Sequence, residues 1–282
     1  MKFANSNADI FIPDGMDVEK ALKRTTHLAV GAHQDDIEIL AYHGIAECFS
    51  RTDRWFTGVV LTNGAGSPRT GIYGGYTDKD MQEIRWLEQR KAAYLGEYAC
   101  QVQLMYTSGA VKDAGNKYAV RDLQSILEIA GPEVVYLHNP ADKHDTHVAA
   151  LLRSLEAIRA LPAEARPKKA CGVEVWRDLD WLADEDKLVL PVDKYPNLSA
   201  ALLGLFDSQI SGGKRYDLAT AGRRIANATY YATHETDICS AITYALDLTP
   251  LIQNERLTVK EFIRGKIGTF QAEVDSRLER LG

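Results

Sequence analysis

Four runs in the first half of the chain are nearly continuous in apolar residues: HLAVGA (27–32), WFTGVVLTN (55–63), CQVQLMYTS (100–108) and EVVYLHN (133–139). A strand wetted on one face alternates apolar and polar residues. A run without alternation is what a strand covered on both faces requires, as in a parallel sheet. Helical patterns separate the runs. In 35–48, Ile37, Leu40, Ala41, Gly44, Ile45 and Cys48 fall on one stripe. Segment 79–96 closes on Gly96, and 117–130 runs into Gly131 and Pro132, both helix stops. Segment 145–160 follows the fourth run, and ACGVEVWRD (170–178) is a fifth candidate strand. This alternation predicts an α/β fold, a three-layer sandwich with right-handed crossovers around a mostly parallel sheet.

From about 196 onward the pattern reads as helical: NLSAALLGLFDSQI, DLATAGRRIANATYYATH and TVKEFIRGKIGTFQAEVDSRLERL. Thr258 with Glu261 three residues later forms a capping box that starts the last of these. The expectation is one domain over 1–282, with 196–282 a mainly helical C-terminal extension. Such helices either cover the sheet or make a contact in a homo-oligomer.

The net charge of −6 leaves no excess of Lys and Arg to neutralise phosphates, which argues against nucleic acid as a partner. Cys48, Cys100, Cys171 and Cys239 are scattered with no CxxC pair, so free thiols in a reducing compartment are expected. The stretch MKFANSNADIFIPDGMDVEK lacks the apolar core of a signal peptide, and no stretch is long and apolar enough for a membrane span. A cytoplasmic location is the resulting expectation.

In open α/β sheets ligands bind beyond the carboxyl ends of the strands. His33, Asp35 and Asp36 follow the first candidate strand, and Asn63, Gly64 and Gly66 follow the second. His138, Asp142, His144 and His147 follow the start of HNPADKHDTH, at the end of the fourth. A catalytic zinc takes three N or O ligands and leaves one position open. His33 and Asp36, three apart at a helix start, can point at one spot, and either His144 or His147 can supply the third donor. Asp35 is left beside such a metal as a candidate general base.

These residues resemble the PIG-L / LmbE-like family of zinc-dependent N-acetylglucosaminyl deacetylases. AHQDDIE stands where that family has AHPDDE, and DKHDTH where it has an element like D-x-HPDH. RWLEQRKAAYLG (85–96) fits R-x-x-E-x-x-x-A-A-x-x-L-G, and TNGAGS fits a glycine-rich loop after the second strand. The likeness spans about 26–150. It implies that His33, Asp36 and His147 bind the metal, that Asp35 is the general base and that His144 is the electrophilic or general-acid histidine. It further implies that Arg85 binds substrate, with Arg69 a second candidate on the loop. The cofactor implied is Zn²⁺, with Fe²⁺ suited to similar ligands, and the partner implied is a small N-acylated sugar or glycoconjugate. Gln34 replaces the family's proline, Ile37 its glutamate, Asp145 its second proline and Thr146 its aspartate. No ligand is lost, but groups that orient ligands are changed.

The fold class expected is therefore α/β, a Rossmann-like mostly parallel sheet in three layers with extra C-terminal helices. The function expected is removal of an acyl group, acetyl by the resemblance, from an amide nitrogen. Two rivals stand beside it: metal-dependent hydration of a small carboxylate, and non-catalytic sugar binding on the same scaffold. A nucleotide-binding reading is weaker, because GAHQDD sets carboxylates where a phosphate loop needs glycines. Three simpler readings are also open. Arg85 and Glu88 read as a helix ion pair, His43 as a core residue, and His138 as an inward imidazole bonded to backbone.

Overall fold

The computed structural model describes residues 1–282. Its strands are β1 (Asp9–Phe11), β2 (His27–Gly31), β3 (Phe56–Thr62), β4 (Cys100–Tyr106), β5 (Val134–His138), β6 (Lys169–Val173), β7 (Leu188–Pro191) and β8 (Ile242–Asp247). They form one sheet in the order β1-β4-β3-β2-β5-β6-β8-β7. The five central strands, β4-β3-β2-β5-β6, are parallel. β1 caps one edge antiparallel to β4, and β8 and β7 extend the other edge antiparallel. The sheet is thus mostly parallel, and helices cover both faces.

Every residue of β2 and β3 is buried, as their unbroken apolar character demands. Successive side chains serve opposite layers. Leu28 and Val30 belong to a core of 36 buried residues on one face, while Ala29 joins a core of 25 on the other. On the second face Gly44 comes so close that a Cβ there would lie 2.5 Å from the Tyr136 ring. The four thiols are free, and three of them are buried.

Two expectations fail, each for a tertiary reason. The stripe over 35–48 is two helices, Asp36–Leu40 and Tyr42–Cys48, broken at Ala41. Buried Arg224, from a helix nearly two hundred residues on, donates Nη2 to the carbonyls of Glu38 and Ile39 at 3.0 Å each. Those carbonyls would accept from Tyr42 and His43 in a continuous helix. Second, the mainly helical reading beyond 196 leaves out β8, ITYALD. This short apolar run is a strand because Gly172 and Val173 of β6 pair with Leu246 and Ala245. Short apolar runs do not tell helix from strand by periodicity; the partner decides. The extension is therefore woven into the sheet. The remaining C-terminal segments are helical, and the last, Val259–Leu281, starts on the Thr258–Glu261 capping box. No helix is long and apolar enough to cross a membrane.

Candidate active site

The first strand of the parallel set, β2, lies between β3 and β5, so the chain order reverses at the β2–β5 boundary. Crossovers on either side of that boundary leave on opposite faces, which opens a crevice at the carboxyl ends. The segments after β2, β3 and β5 meet there.

His33, Asp36 and His147 converge. His33 Nδ1 is 3.3 Å from Asp36 Oδ2, His147 Nε2 is 3.3 Å from Asp36 Oδ1, and His147 Nε2 is 3.3 Å from His33 Nδ1. A tetrahedron with metal–ligand bonds of ~2.0–2.1 Å has edges of about 3.3 Å, so these spacings suit one divalent cation. Asp36 is aimed by its own turn, since its Oδ2 accepts the His33 backbone N–H at 2.7 Å. Beneath it Gly31 leaves room: a Cβ there would stand 3.0 Å from the Asp36 Cβ.

His138, Asp142 and His147 also lie close together. They are worse placed to hold a cation, because His138 Nε2, His147 Nδ1 and the Asp142 carboxylate already have partners. His138 Nε2 accepts the Ala32 N–H at 3.0 Å. Asp142 accepts from His147 Nδ1 at 3.2 Å and from the backbone N–H groups of His144 and Trp176 at 3.1 and 3.3 Å. Asp142 thus orients His147, fixing its Nδ1 as donor and turning Nε2 toward His33 and Asp36. His138 is the inward, backbone-bonded imidazole that its place on a buried strand predicts.

Asp35 has φ 94° and ψ −31°, a conformation that a residue with a Cβ rarely adopts. The twist turns its side chain into the cavity that His33 and Asp36 also line. The surroundings impose it. The Asp35 N–H donates to Gln89 Oε1 at 3.4 Å, and Gln89 Nε2 donates to Glu38 Oε1 at 2.9 Å. Tyr98 OH holds the same Glu38 oxygen at 2.8 Å. Arg85 clamps the preceding carbonyl, donating Nη2 to Gln34 O at 2.7 Å.

Burial opposes ionisation of Asp36, yet His147, His138 and His33 outweigh it and hold its carboxyl well below the usual range. Burial pushes Asp35 well above that range; Arg85, 3.9 Å away, pulls it down, and Asp36, Glu38 and Glu88 push it further up. Two adjacent carboxyls are thereby driven apart, which is how acid–base roles are divided in enzyme sites. Burial lowers His33 to about 4. Burial also lowers His138 and His144, each helped by the neighbouring His147. Burial would lower His147 too, but the carboxylates of Asp36 and Asp142 raise it.

His144 lines the cavity, stacked on His147 with ring centroids 4.5 Å apart and edge-on to His33 at 5.0 Å. Its Nδ1 is buried with no hydrogen-bond partner. Arg85 reaches the cavity too, donating Nη1 to Gly64 O at 3.1 Å and to Ser67 Oγ. The reading of Arg85 and Glu88 as an ion pair does not hold. Glu88 instead accepts from Ser208 N–H at 2.8 Å and Ser208 Oγ at 2.6 Å, tying the C-terminal extension to the site. Arg69 is turned away from the cavity. It holds its own loop through Ala65 O at 2.6 Å, Tyr76 O at 3.0 Å and Asp78.

The cavity has a volume of about 660 Å³. Part of its wall comes from residues for which the sequence carried little or no signal: Trp176 after β6, and Lys214, Tyr216 and Arg223 from the extension. No spacing links them to the site, and only the packing of 208–224 against the sheet brings them in.

Residues 28–158 match the family described as PIG-L, GlcNAc-PI de-N-acetylase. No curated protein sequence matches the chain. Among solved structures, the 4-carboxy-2-hydroxymuconate hydratase GalB from Pseudomonas putida KT2440 is similar at 17% identity and TM-score 0.60, over 83% of this chain and 98% of that one. The N,N′-diacetylchitobiose deacetylase from Pyrococcus horikoshii is similar at 15% identity and TM-score 0.57, over 81% and 87%. The zinc-inhibited form of teicoplanin deacetylase Orf2 is similar at 14% identity and TM-score 0.53, over 78% and 97%. At these identities the likeness establishes the α/β fold.

Proposed function

We propose, from the premise that residues 28–158 are a PIG-L family domain, that this protein is a metal-dependent hydrolase removing an acyl group, acetyl in the simplest case, from the amide nitrogen of a sugar or glycoconjugate. One observation carries the reading. His33, Asp36 and buried His147 present donor atoms at tetrahedral spacing beside a cavity that His33 and Asp36 line and into which the strained Asp35 projects. A pure sugar-binding protein has no use for that strain.

His33, Asp36 and His147 would hold the cation, with Asp142 orienting His147. Zn²⁺ suits two imidazoles and a carboxylate, and Fe²⁺ takes the same donors. When bound, a divalent cation supplies Lewis-acid polarisation and eases the ionisation of water. Asp35 accepts the proton of the attacking water, and burial, by raising its proton affinity, suits it to that task. The same carboxyl then returns the proton to the amide nitrogen as the C–N bond breaks, releasing amine and carboxylate. His144, at the cavity wall, donates to the developing oxyanion. Arg85 keeps the Asp35 turn in place and limits how far its proton affinity rises.

The test is metal analysis of the purified protein together with acetate release from a panel of N-acetylated sugars. About one metal per chain and amide cleavage that vanishes in Asp35→Asn, with metal retained, are expected. Full activity in that variant would refute the base assignment. A panel with no cleaved amide would refute the hydrolase. The hydratase reading has one observation in its favour, the cationic side chains Lys143, Lys214 and Arg223 in the cavity wall. Water addition to an unsaturated carboxylate, with no amide cleaved, is the result that would establish it.

A further inference from the structure

The protein carries a net charge of −6, yet the cavity wall holds Arg85, Lys143, Lys214 and Arg223 against two carboxylates, Asp35 and Asp36. Three of these cations have no part in the chemistry described above. Lys143 follows β5, while Lys214 and Arg223 belong to the C-terminal extension. They gather at Trp176. Lys143 Nζ lies 6.0 Å and Lys214 Nζ 5.2 Å from the centroid of its ring, and Arg223 Nη1 donates to the carbonyl of the preceding Val175.

Lysines such as Lys117, Lys168 and Lys266 each stand within 3 Å of a carboxylate. Lys143 and Lys214 face an aromatic ring and the cavity instead. A ring face holds an ammonium in place without neutralising it, which leaves its charge available to a ligand. Glu174, an acid that feels the charge of Arg223, is already engaged by Asn227 Nδ2 at 2.6 Å and by the N–H groups of Leu179 and Tyr244 at 3.1 and 3.0 Å. A concave wall of one charge sign inside an acidic protein focuses potential on what enters.

We propose that this wall is an anion-binding subsite, in which Lys143, Lys214 and Arg223 around Trp176 hold a carboxylate or phosphate carried by the substrate. It rests on the hydrolase reading for what happens at the other end of that substrate, and it narrows the substrate to an acidic N-acylated sugar or glycoconjugate. The volume of about 660 Å³ accommodates a ligand of that size with both ends engaged.

Calorimetry on metal-loaded Asp35→Asn, which binds without turnover, tests this. The probes are N-acetylglucosamine, its 6-phosphate and its 3-O-lactyl ether, which separate phosphate from carboxylate. Three partly solvated ion pairs are together worth about tenfold in affinity at low salt. At least one acidic probe is therefore expected to bind about tenfold tighter than the neutral one. That ratio should fall toward one when Lys143→Met and Lys214→Met are added, and between about 0.05 and 0.5 M salt. Equal binding of acidic and neutral probes, or no binding of any acidic probe, overturns the subsite. So does an acidic preference that survives both lysine substitutions, since the cation alone would then hold the anion. Acetate release by the unmutated enzyme distinguishes the two levels. Cleavage without acidic preference leaves the hydrolase standing and removes the subsite; lysine-dependent acidic binding with no cleavable amide does the reverse.

Discussion

The strain at Asp35 makes a prediction that runs against ordinary helix-start behaviour. Its φ of 94° with ψ −31° lies outside the regions that a Cβ tolerates. A residue held there costs of order 1–3 kcal/mol. Asp35→Ala removes the carboxyl and keeps the Cβ, so the strain stays. Asp35→Gly removes both, and loses roughly 0.5–1 kcal/mol through the extra freedom of glycine in the unfolded chain. Desolvation of the charge is relieved equally in the two variants and cancels in their difference. The glycine variant should therefore be the more stable by about 1 kcal/mol, or about 2–4 °C in midpoint for a chain of this size. At an ordinary backbone position the order is reversed. Urea unfolding and calorimetry in excess chelator read the difference without any contribution from bound metal. Both variants are expected to be inactive. If Asp35→Ala proves as stable as Asp35→Gly, the backbone is not strained, and the account of how Asp35 is turned into the cavity fails.

Other perturbations have equally definite outcomes. Asp142→Ala should weaken metal binding by roughly 10–100-fold, because His147 loses the partner that orients it; unchanged affinity in a metal-competition titration would assign Asp142 to the turn alone. In the unmutated protein, a metal at about a hundred times its dissociation constant should add about 2.7 kcal/mol of stability, and His147→Ala should abolish that gain. Burial lowers His43 to about 4 in the folded protein, where its Nδ1 meets Tyr136 OH at 2.9 Å. Its unfolded value is near 6.5, so the unfolded chain binds the proton first as pH falls. Stability held above pH 6.5 is thus lost as pH drops toward 4, by up to about 3 kcal/mol. His43→Gln should show that much less loss across the window in denaturant titrations, and an identical slope would contradict the assignment.

Much of the site was legible in the linear chain because its parts are short-range. His33, Asp35 and Asp36 share one strand-to-helix turn, and His144 and His147 share another. Both turns follow strands whose unbroken apolar character already announced a parallel sheet. The rule that ligands sit at carboxyl ends then predicts that the turns meet, and His33, Asp36 and His147 do. The rest depended on which partners each segment finds when the chain folds. Arg69 sits on the expected loop but spends its guanidinium on that loop's own carbonyls and Asp78. The helix over 35–48 breaks because Arg224 takes two of its carbonyls, and ITYALD is a strand because β6 offers an edge.

Local chemistry, namely residue type, spacing and apolar periodicity, was enough to outline the sheet core and the two polar turns that carry His33, Asp35, Asp36, His144 and His147, since each is a property of a short stretch of chain. The strain in Asp35, the separation of its proton affinity from that of Asp36, and the cationic wall around Trp176 were decided only by tertiary packing. Burial and through-space charge depend on which distant segments come together, and no local spacing in the chain encodes that.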